Sequence, residues 1–199
     1  MQKATEVFPR RRQVRTRRLE LRPATEQSLR AELARDYDEL AKLLQASVSV
    51  SWPPPLYDAA ALEWTLAKVQ SSPRNALWWA WYFIRRNPGG GRELIGAGGF
   101  KGPPAAGAVE IGYSIIEVLH GQEFGTEAAE GLVAWARACP RVRKVVAHTL
   151  AHLHASIRVL EKNGFRQKGR PEEPEAIRFE LDLAPVSGAT FRSGKPPVR

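Results

Sequence analysis

Residues 109 to 138 confine the fold more than any other part of the chain, because they read as a strand, a glycine-containing turn and a helix in direct succession. Val109-Glu110-Ile111-Gly112-Tyr113-Ser114-Ile115-Ile116 alternates, placing Val109, Ile111, Tyr113 and Ile115 on one face and Glu110, Gly112, Ser114 and Ile116 on the other. A carboxylate therefore stands in a strand interior. After Glu117-Val118-Leu119, the turn His120-Gly121-Gln122-Glu123-Phe124-Gly125 leads into a helix from about Thr126 to Cys139. Leu132, Trp135 and Ala136 form its apolar stripe, and Pro140 stops it. The first amides of such a helix have no partner within it and carry the positive end of its dipole, an arrangement that receives phosphate or pyrophosphate. The segment contains neither a G-x-x-x-x-G-K-S/T loop nor a G-x-G-x-x-G fingerprint. Taken alone, it is equally consistent with a turn in which Gly121 and Gly125 merely permit the bend.

The flanking elements give this segment a setting. Arg18-Leu19-Glu20-Leu21-Arg22 predicts a short strand stopped by Pro23, and the spacing of Leu29, Leu33, Tyr37, Leu40 and Leu44 predicts one amphipathic helix from Thr25 to about Ala46. Trp52-Pro53-Pro54-Pro55 makes a rigid loop, and a second helix follows from an Asp58 N-cap to about Gln70. Residues 77–84 predict an aromatic-rich strand, and Leu94 to Phe100 its return strand, whose glycines let something approach the backbone closely. Downstream lie a strand at 145–150, a short helix at 155–162 stopped by Asn163-Gly164, a strand region from Phe165, and a terminal strand alternating through Ile177, Phe179, Leu181 and Leu183. This order predicts an α/β chain with a mixed sheet and helices on its faces.

The 199 residues suit one domain with appended ends. A formal charge of +9 invites a nucleic-acid or membrane reading, but its distribution argues otherwise. Residues 1–15 carry Lys3, Arg10, Arg11, Arg12 and Arg15 against Glu6, a net of +4. Residues 185–199 add Arg192, Lys195 and Arg199, a net of +3, which leaves +2 for residues 16–184. We therefore expect a basic flexible arm over 1–15, a folded domain over 16–184 and a basic flexible tail over 185–199. The ends suit weak association with ribosomes or other polyanions. Cys139 is the single cysteine, which excludes an intrachain disulfide and a cysteine zinc framework. The first residues lack the apolar stretch of a signal peptide, and no apolar run reaches the ~18 residues of a membrane span. The expectation is a cytoplasmic protein with no membrane partner.

Ile111-Gly112-Tyr113-Ser114-Ile115, Gly121-Gln122-Glu123-Phe124-Gly125-Thr126-Glu127-Ala128, His148-Thr149-Leu150 and the run from Ala155 to Phe165 together resemble the GNAT N-acetyltransferase superfamily. They look most like its ribosomal-protein alanine and serine acetyltransferase branch. The resemblance is strongest over residues 93–168. It implies a central, mostly antiparallel mixed sheet flanked by helices, with a V-shaped splay between the strands at 109–116 and 145–150. It also implies acetyl-coenzyme A as donor and a homodimer, and the residues themselves lead us to expect no metal. Backbone groups around Ile116, Glu117 and Val118 would pair with the pantetheine arm in strand fashion. The family's pyrophosphate loop falls on His120 to Gly125, so the amides of Gly121, Gln122, Glu123, Phe124, Gly125 and Thr126 would cradle the pyrophosphate. Three residues depart from the family pattern: His120 replaces a usual Gln or Arg, Glu123 a usual Gly, and His154, which would contact coenzyme A, a frequent Asn. A carboxylate beside a pyrophosphate is tolerated when it points away.

Acetyl transfer to an amine needs a base to free the nitrogen lone pair, a donor to polarise the thioester and an acid for the departing thiolate. Glu110 matches an acidic family position and is the leading base, directly or through water; the alternative is a structural ion pair. Ser156 matches a family serine near the coenzyme sulfur, and it also suits the N-cap of its own helix. Tyr113 is an alternative acid, but lies on the face opposite Glu110, as a core residue would. His148, His152 and His154 have no carboxylate or cysteine cluster beside them to complete a metal site. Among the tryptophans, Trp52 is the candidate substrate-binding residue, because its loop joins the region lining the acceptor cleft in similar enzymes; packing is the competing role. These features point to N-acetylation of a primary amine, on a peptide or protein N-terminus or a small molecule, by direct attack in a ternary complex. The alternative is a non-catalytic GNAT-fold module for acyl-coenzyme A or a protein partner.

Overall fold

The computed structural model describes residues 13–168 and 176–183, so the expected arm up to residue 12 and the tail at 185–199 lie outside the described residues. Nine strands among the described residues form one sheet: β1 (Val14–Arg15), β2 (Leu19–Pro23), β3 (Ser47–Val48), β4 (Ala80–Arg86), β5 (Arg92–Phe100), β6 (Ala108–Ile115), β7 (Lys144–Leu150), β8 (Arg166–Gln167) and β9 (Ala176–Asp182). The order is β1-β2-β4-β5-β6-β7-β9-β8, with β3 beside β5. Pairing is antiparallel except for β3 with β5 and β6 with β7. Val14 and Arg15, assigned from sequence to the arm, already pair with Leu21 and Glu20.

The helices are α1 (Glu26–Leu33), α2 (Tyr37–Leu44), α3 (Ala59–Ser71), α4 (Phe124–Arg137) and α5 (His154–Lys162). Helices α1 and α2 correct the expected single helix over residues 25–46. Arg35 takes a left-handed conformation (φ 55°), and Asp36 caps the second helix by accepting from the Glu39 amide at 2.9 Å. The apolar period crosses this break without change, because both helices turn the same stripe inward. A second correction concerns Leu77 and Trp78. They belong to a 3-10 helix, Pro73–Trp78, and the strand begins only at Ala80.

The two faces of the sheet have separate cores. On one, Trp78, Trp81 and Phe100 pack around Trp135 of α4, with ring centroids 4.5 to 5.2 Å from it. On the other, Tyr82 meets Trp52 beneath α1. The glycines of β5 have a local cause: a Cβ at Gly98 would collide with the Gly112 carbonyl and the Phe83 ring. What approaches that backbone closely is the neighbouring strand itself. Among the described residues, no helix is long and apolar enough to cross a membrane.

Candidate functional site

The sheet opens between β6 and β7. They pair only at Ala108 with Lys144, Val109 with Val145 and Glu110 with Val146. Beyond that rung, β6 stays with β5 through Ile115, and β7 stays with β9 through Leu150. Each strand is held by its outer neighbour, so the inner edges part. Bonds from the Lys101 amide to the Glu110 carbonyl (3.0 Å) and from the Ile116 amide to the Ile95 carbonyl (2.9 Å) turn the even-numbered backbone groups of β6 toward β5. The odd-numbered groups of Ile111, Tyr113 and Ile115 therefore face the opening.

This corrects the expected pairing edge. The Ile116 amide is already engaged, and Glu117 to Leu119 curl into a 3-10 turn, so Ile116, Glu117 and Val118 do not continue the strand. His120 sits against the same edge, its Nε2 lying 2.8 Å from the Ile115 carbonyl oxygen.

At the mouth of the opening stands the N-terminus of α4. Its first backbone bond runs from the Glu127 amide to the Glu123 carbonyl (3.0 Å), and no side chain caps it. The amides of Gly121, Gln122, Glu123, Phe124, Gly125 and Thr126 donate to no group among the described residues. Gly121 (φ 75°) and Glu123 (φ 67°) both take left-handed conformations, which shape this stretch as a concave nest. The Glu123 carboxylate accepts from Lys162 Nζ (2.5 Å) and the Thr126 hydroxyl (2.9 Å), and these bonds hold its carboxyl below the usual range. The helix start is fixed from behind. The buried Glu127 carboxylate accepts from the Thr16 hydroxyl (2.5 Å) and from the Arg18 and Leu19 amides (2.5 and 3.2 Å), while Arg18 covers the Phe124 ring at 4.1 Å.

Each face of β6 carries its own polar pair. On the α4 side, the Tyr113 hydroxyl lies 3.4 Å from the Ser156 carbonyl oxygen and 3.5 Å from its Oγ. Burial pushes the Tyr113 hydroxyl up to about 12. Ser156 does not cap α5. Leu153 holds the cap position without a side-chain bond, and Ser156 lies in the first turn. Its hydroxyl is thereby left for Tyr113 and the opening. His154 begins the same helix as an exposed residue.

On the α1 side, Glu110 Oε1 lies 3.0 Å from His148 Nδ1 and forms an ion pair with Lys101 Nζ. Burial pushes the Glu110 carboxyl up, but Lys101 and His148 outweigh it and hold it below the usual carboxylate range. His148 Nε2 and Thr149 Oγ1, on opposite faces of the parted half of β7, are buried without hydrogen-bond partners. Two orphaned polar atoms beside the opening suit a polar ligand there.

The proline loop closes this side. The Ser114 hydroxyl donates to the Pro55 carbonyl at 2.7 Å, and Glu32 accepts from Trp52 Nε1 (2.9 Å), the Tyr82 hydroxyl (2.7 Å) and the Tyr57 hydroxyl (3.4 Å). Burial drives the Glu32 carboxyl up to about 7 despite these bonds. Trp52, expected to bind substrate, is buried and committed to Glu32. It anchors the loop, on which Val50 and Leu56 are exposed.

Glu32, Ser114 and His148 escaped the sequence reading as site residues. Once Glu110 and Val146 share a rung, alternation puts His148 on the Glu110 face, a signal that required knowing the register. Glu32 had no local signal.

A family model described as acetyltransferase (GNAT) domain matches residues 18–166. Among solved structures, RimL, the ribosomal L7/L12 alpha-N-protein acetyltransferase in complex with coenzyme A, is similar with a TM-score of 0.61 and 21% identity, over 86% of this chain and 98% of that one. The acetyltransferase from Agrobacterium tumefaciens str. C58 gives 0.60 and 20%, over 91% and 100%. The ribosomal-protein-S5-alanine acetyltransferase from Vibrio fischeri gives 0.59 and 15%, over 85% and 96%. At these identities the likeness is one of fold. No curated protein matches the chain.

Proposed function

The chain belongs to the GNAT acetyltransferase family, and we propose that it transfers an acetyl group from acetyl-coenzyme A to a primary amine by direct attack in a ternary complex. The observation that carries this reading is the run of six unpaired amides, Gly121 to Thr126, beside the opening between β6 and β7. The amides suit a pyrophosphate, because main-chain donors at a helix start bind an anion without a basic side chain. Glu123 does not oppose this, since Lys162 draws its carboxylate aside.

Bound acetyl-coenzyme A supplies an activated thioester. The open edge of β6, the backbone groups of Ile111 and Tyr113 with the Ile115 amide, would hold its arm. Tyr113 and Ser156 would give the departing sulfur a proton, and the Glu110 face would receive the amine under the loop that Trp52 anchors. Sulfur and amine thus meet the strand from opposite faces.

The acceptor is a peptide or protein N-terminus, or a small-molecule amine. Calorimetry with acetyl-coenzyme A tests the donor: binding supports the reading, and no binding sinks it. Free-thiol release is then measured with peptides beginning in Ser or Ala, spermidine, glucosamine and kanamycin. Thiol release that needs one of these amines identifies the acceptor class; binding without release from any of them favours a non-catalytic module.

A further inference from the structure

The carboxylate assigned from sequence as base has a cation and an imidazole nitrogen against one oxygen, while that imidazole has its other nitrogen to spare. Glu110 Oε1 lies against both Lys101 Nζ and His148 Nδ1, the latter at 3.0 Å. An anion held by a cation and a ring N–H is a weakened proton acceptor, because protonation would break both contacts. His148 behaves oppositely. A ring that turns Nδ1–H to Glu110 carries its free lone pair on Nε2, and Nε2 is buried with no partner among the described residues.

Position agrees with chemistry. His148 is the first residue of β7 on the Glu110 face beyond the last rung shared with β6, so it stands where the two strands begin to part. Lys144 and Val146 precede it on that face, and Arg178 and Glu180 of β9 lie beside it in register. Glu180 is bonded to both Lys144 (2.6 Å) and Arg178 (2.8 Å). Glu110 is thus the acidic group the structure places on the ring, with Lys101 behind it.

We propose that His148 Nε2 is the general base that deprotonates the acceptor amine, and that Glu110 is the positioning residue that fixes the ring through Nδ1. This rests on the acetyltransferase reading above. The acceptor ammonium gives one proton to Nε2, which frees its lone pair. The nitrogen attacks the thioester carbon, forming the C–N bond as the carbonyl π pair moves to oxygen. When that pair returns, the C–S bond breaks and its electrons leave with sulfur, which takes the second amine proton from the Tyr113–Ser156 side. The products are the amide, the coenzyme A thiol and an imidazolium that releases its proton to water.

The test compares wild type with His148→Asn, His148→Ala and Glu110→Gln, using thiol release with the Ser- and Ala-initiated peptides, spermidine, glucosamine and kanamycin. Circular dichroism and acetyl-coenzyme A calorimetry are run on every variant. We expect His148→Asn to lose roughly 10²- to 10³-fold in kcat, to keep acetyl-coenzyme A affinity within about twofold, and to lose the acidic limb of the kcat/KM profile. Added imidazole should restore part of the His148→Ala rate. Glu110→Gln should retain that acidic limb, because the ring keeps its nitrogen. Wild-type kcat and an unchanged pH profile in a folded His148→Asn protein would overturn the assignment. So would a Glu110→Gln protein that loses the limb while His148→Asn keeps it, since that returns the base to Glu110. A wild-type protein that binds acetyl-coenzyme A yet releases no thiol with any of these amines overturns the acetyltransferase reading, and the base with it.

Discussion

Lys162 Nζ lies 2.5 Å from Glu123 Oε1, so the one carboxylate among the unpaired amides of Gly121 to Thr126 is drawn toward α5. Removing this hold by Lys162→Met should weaken acetyl-coenzyme A binding by roughly two- to fivefold, an effect the size of an exposed pair and sensitive to salt. Glu123→Gly should act in the opposite direction. It removes the charge and relieves a left-handed φ of 67°, raising affinity and lifting Tm by roughly 2–4 °C. Calorimetry and thermal unfolding check both; weaker binding in Glu123→Gly would show that the side chain helps to hold the coenzyme.

Glu32 makes stability depend on pH. Its carboxyl is pushed by burial from 4.5 up to about 7, so the unfolded chain ionises first as pH rises. Stability from this group is full below pH 4.5 and is lost up to pH 7, by about 3 kcal/mol in all. Glu32→Gln should flatten the stability difference between pH 5 and 8 measured by denaturant unfolding. An equally steep profile in the variant would place the titration elsewhere.

Gly98 is predicted to tolerate no side chain. Gly98→Ala forces a methyl group against the Gly112 carbonyl and the Phe83 ring, at a cost of roughly 1–3 kcal/mol. Since the strand pushed aside is β6, the same substitution should lower kcat more than it lowers Tm would suggest. Unfolding midpoints alongside thiol release separate the two effects.

Ser156→Ala and Tyr113→Phe each remove a hydroxyl from the α4 side of the opening. We expect each to lower kcat by roughly tenfold to a hundredfold, with KM for the amine little changed, because neither group lies on the Glu110 face proposed for the amine. The double variant should lose little more than the worse single one if the two hydroxyls form one proton path. Full additivity would mean that they act separately.

What could be read without coordinates followed the range over which its cause acts. The alternation of Val109 to Ile116, the Asp58 cap and the Asn163-Gly164 stop have causes within a few residues, and each element appears at its expected place. The break at Arg35 and Asp36 was hidden because an apolar stripe can continue across a change of axis. Pro73 to Trp78 has strand-like composition at its end but winds as a 3-10 helix, the indole of Trp81 donating back to the Leu77 carbonyl at 2.9 Å. The site divides in the same way. The coenzyme-side amides lie in one local motif, whereas the contact between Glu110 and His148 depends on a register between strands separated by a whole helix.

The alternation of β6 carries a consequence for how such a site can change over time. Tyr113 and Glu110 lie on opposite faces only because their positions in the strand differ by an odd number. Deleting Gly112 would bring the phenol onto the carboxylate's side and away from Ser156. Point substitutions can therefore retune either half of the chemistry independently, whereas a single-codon insertion or deletion inside this strand exchanges the halves. Length variation among descendants of this chain should accumulate in the loops around β6 and spare the strand itself, as a deep insertion scan would show.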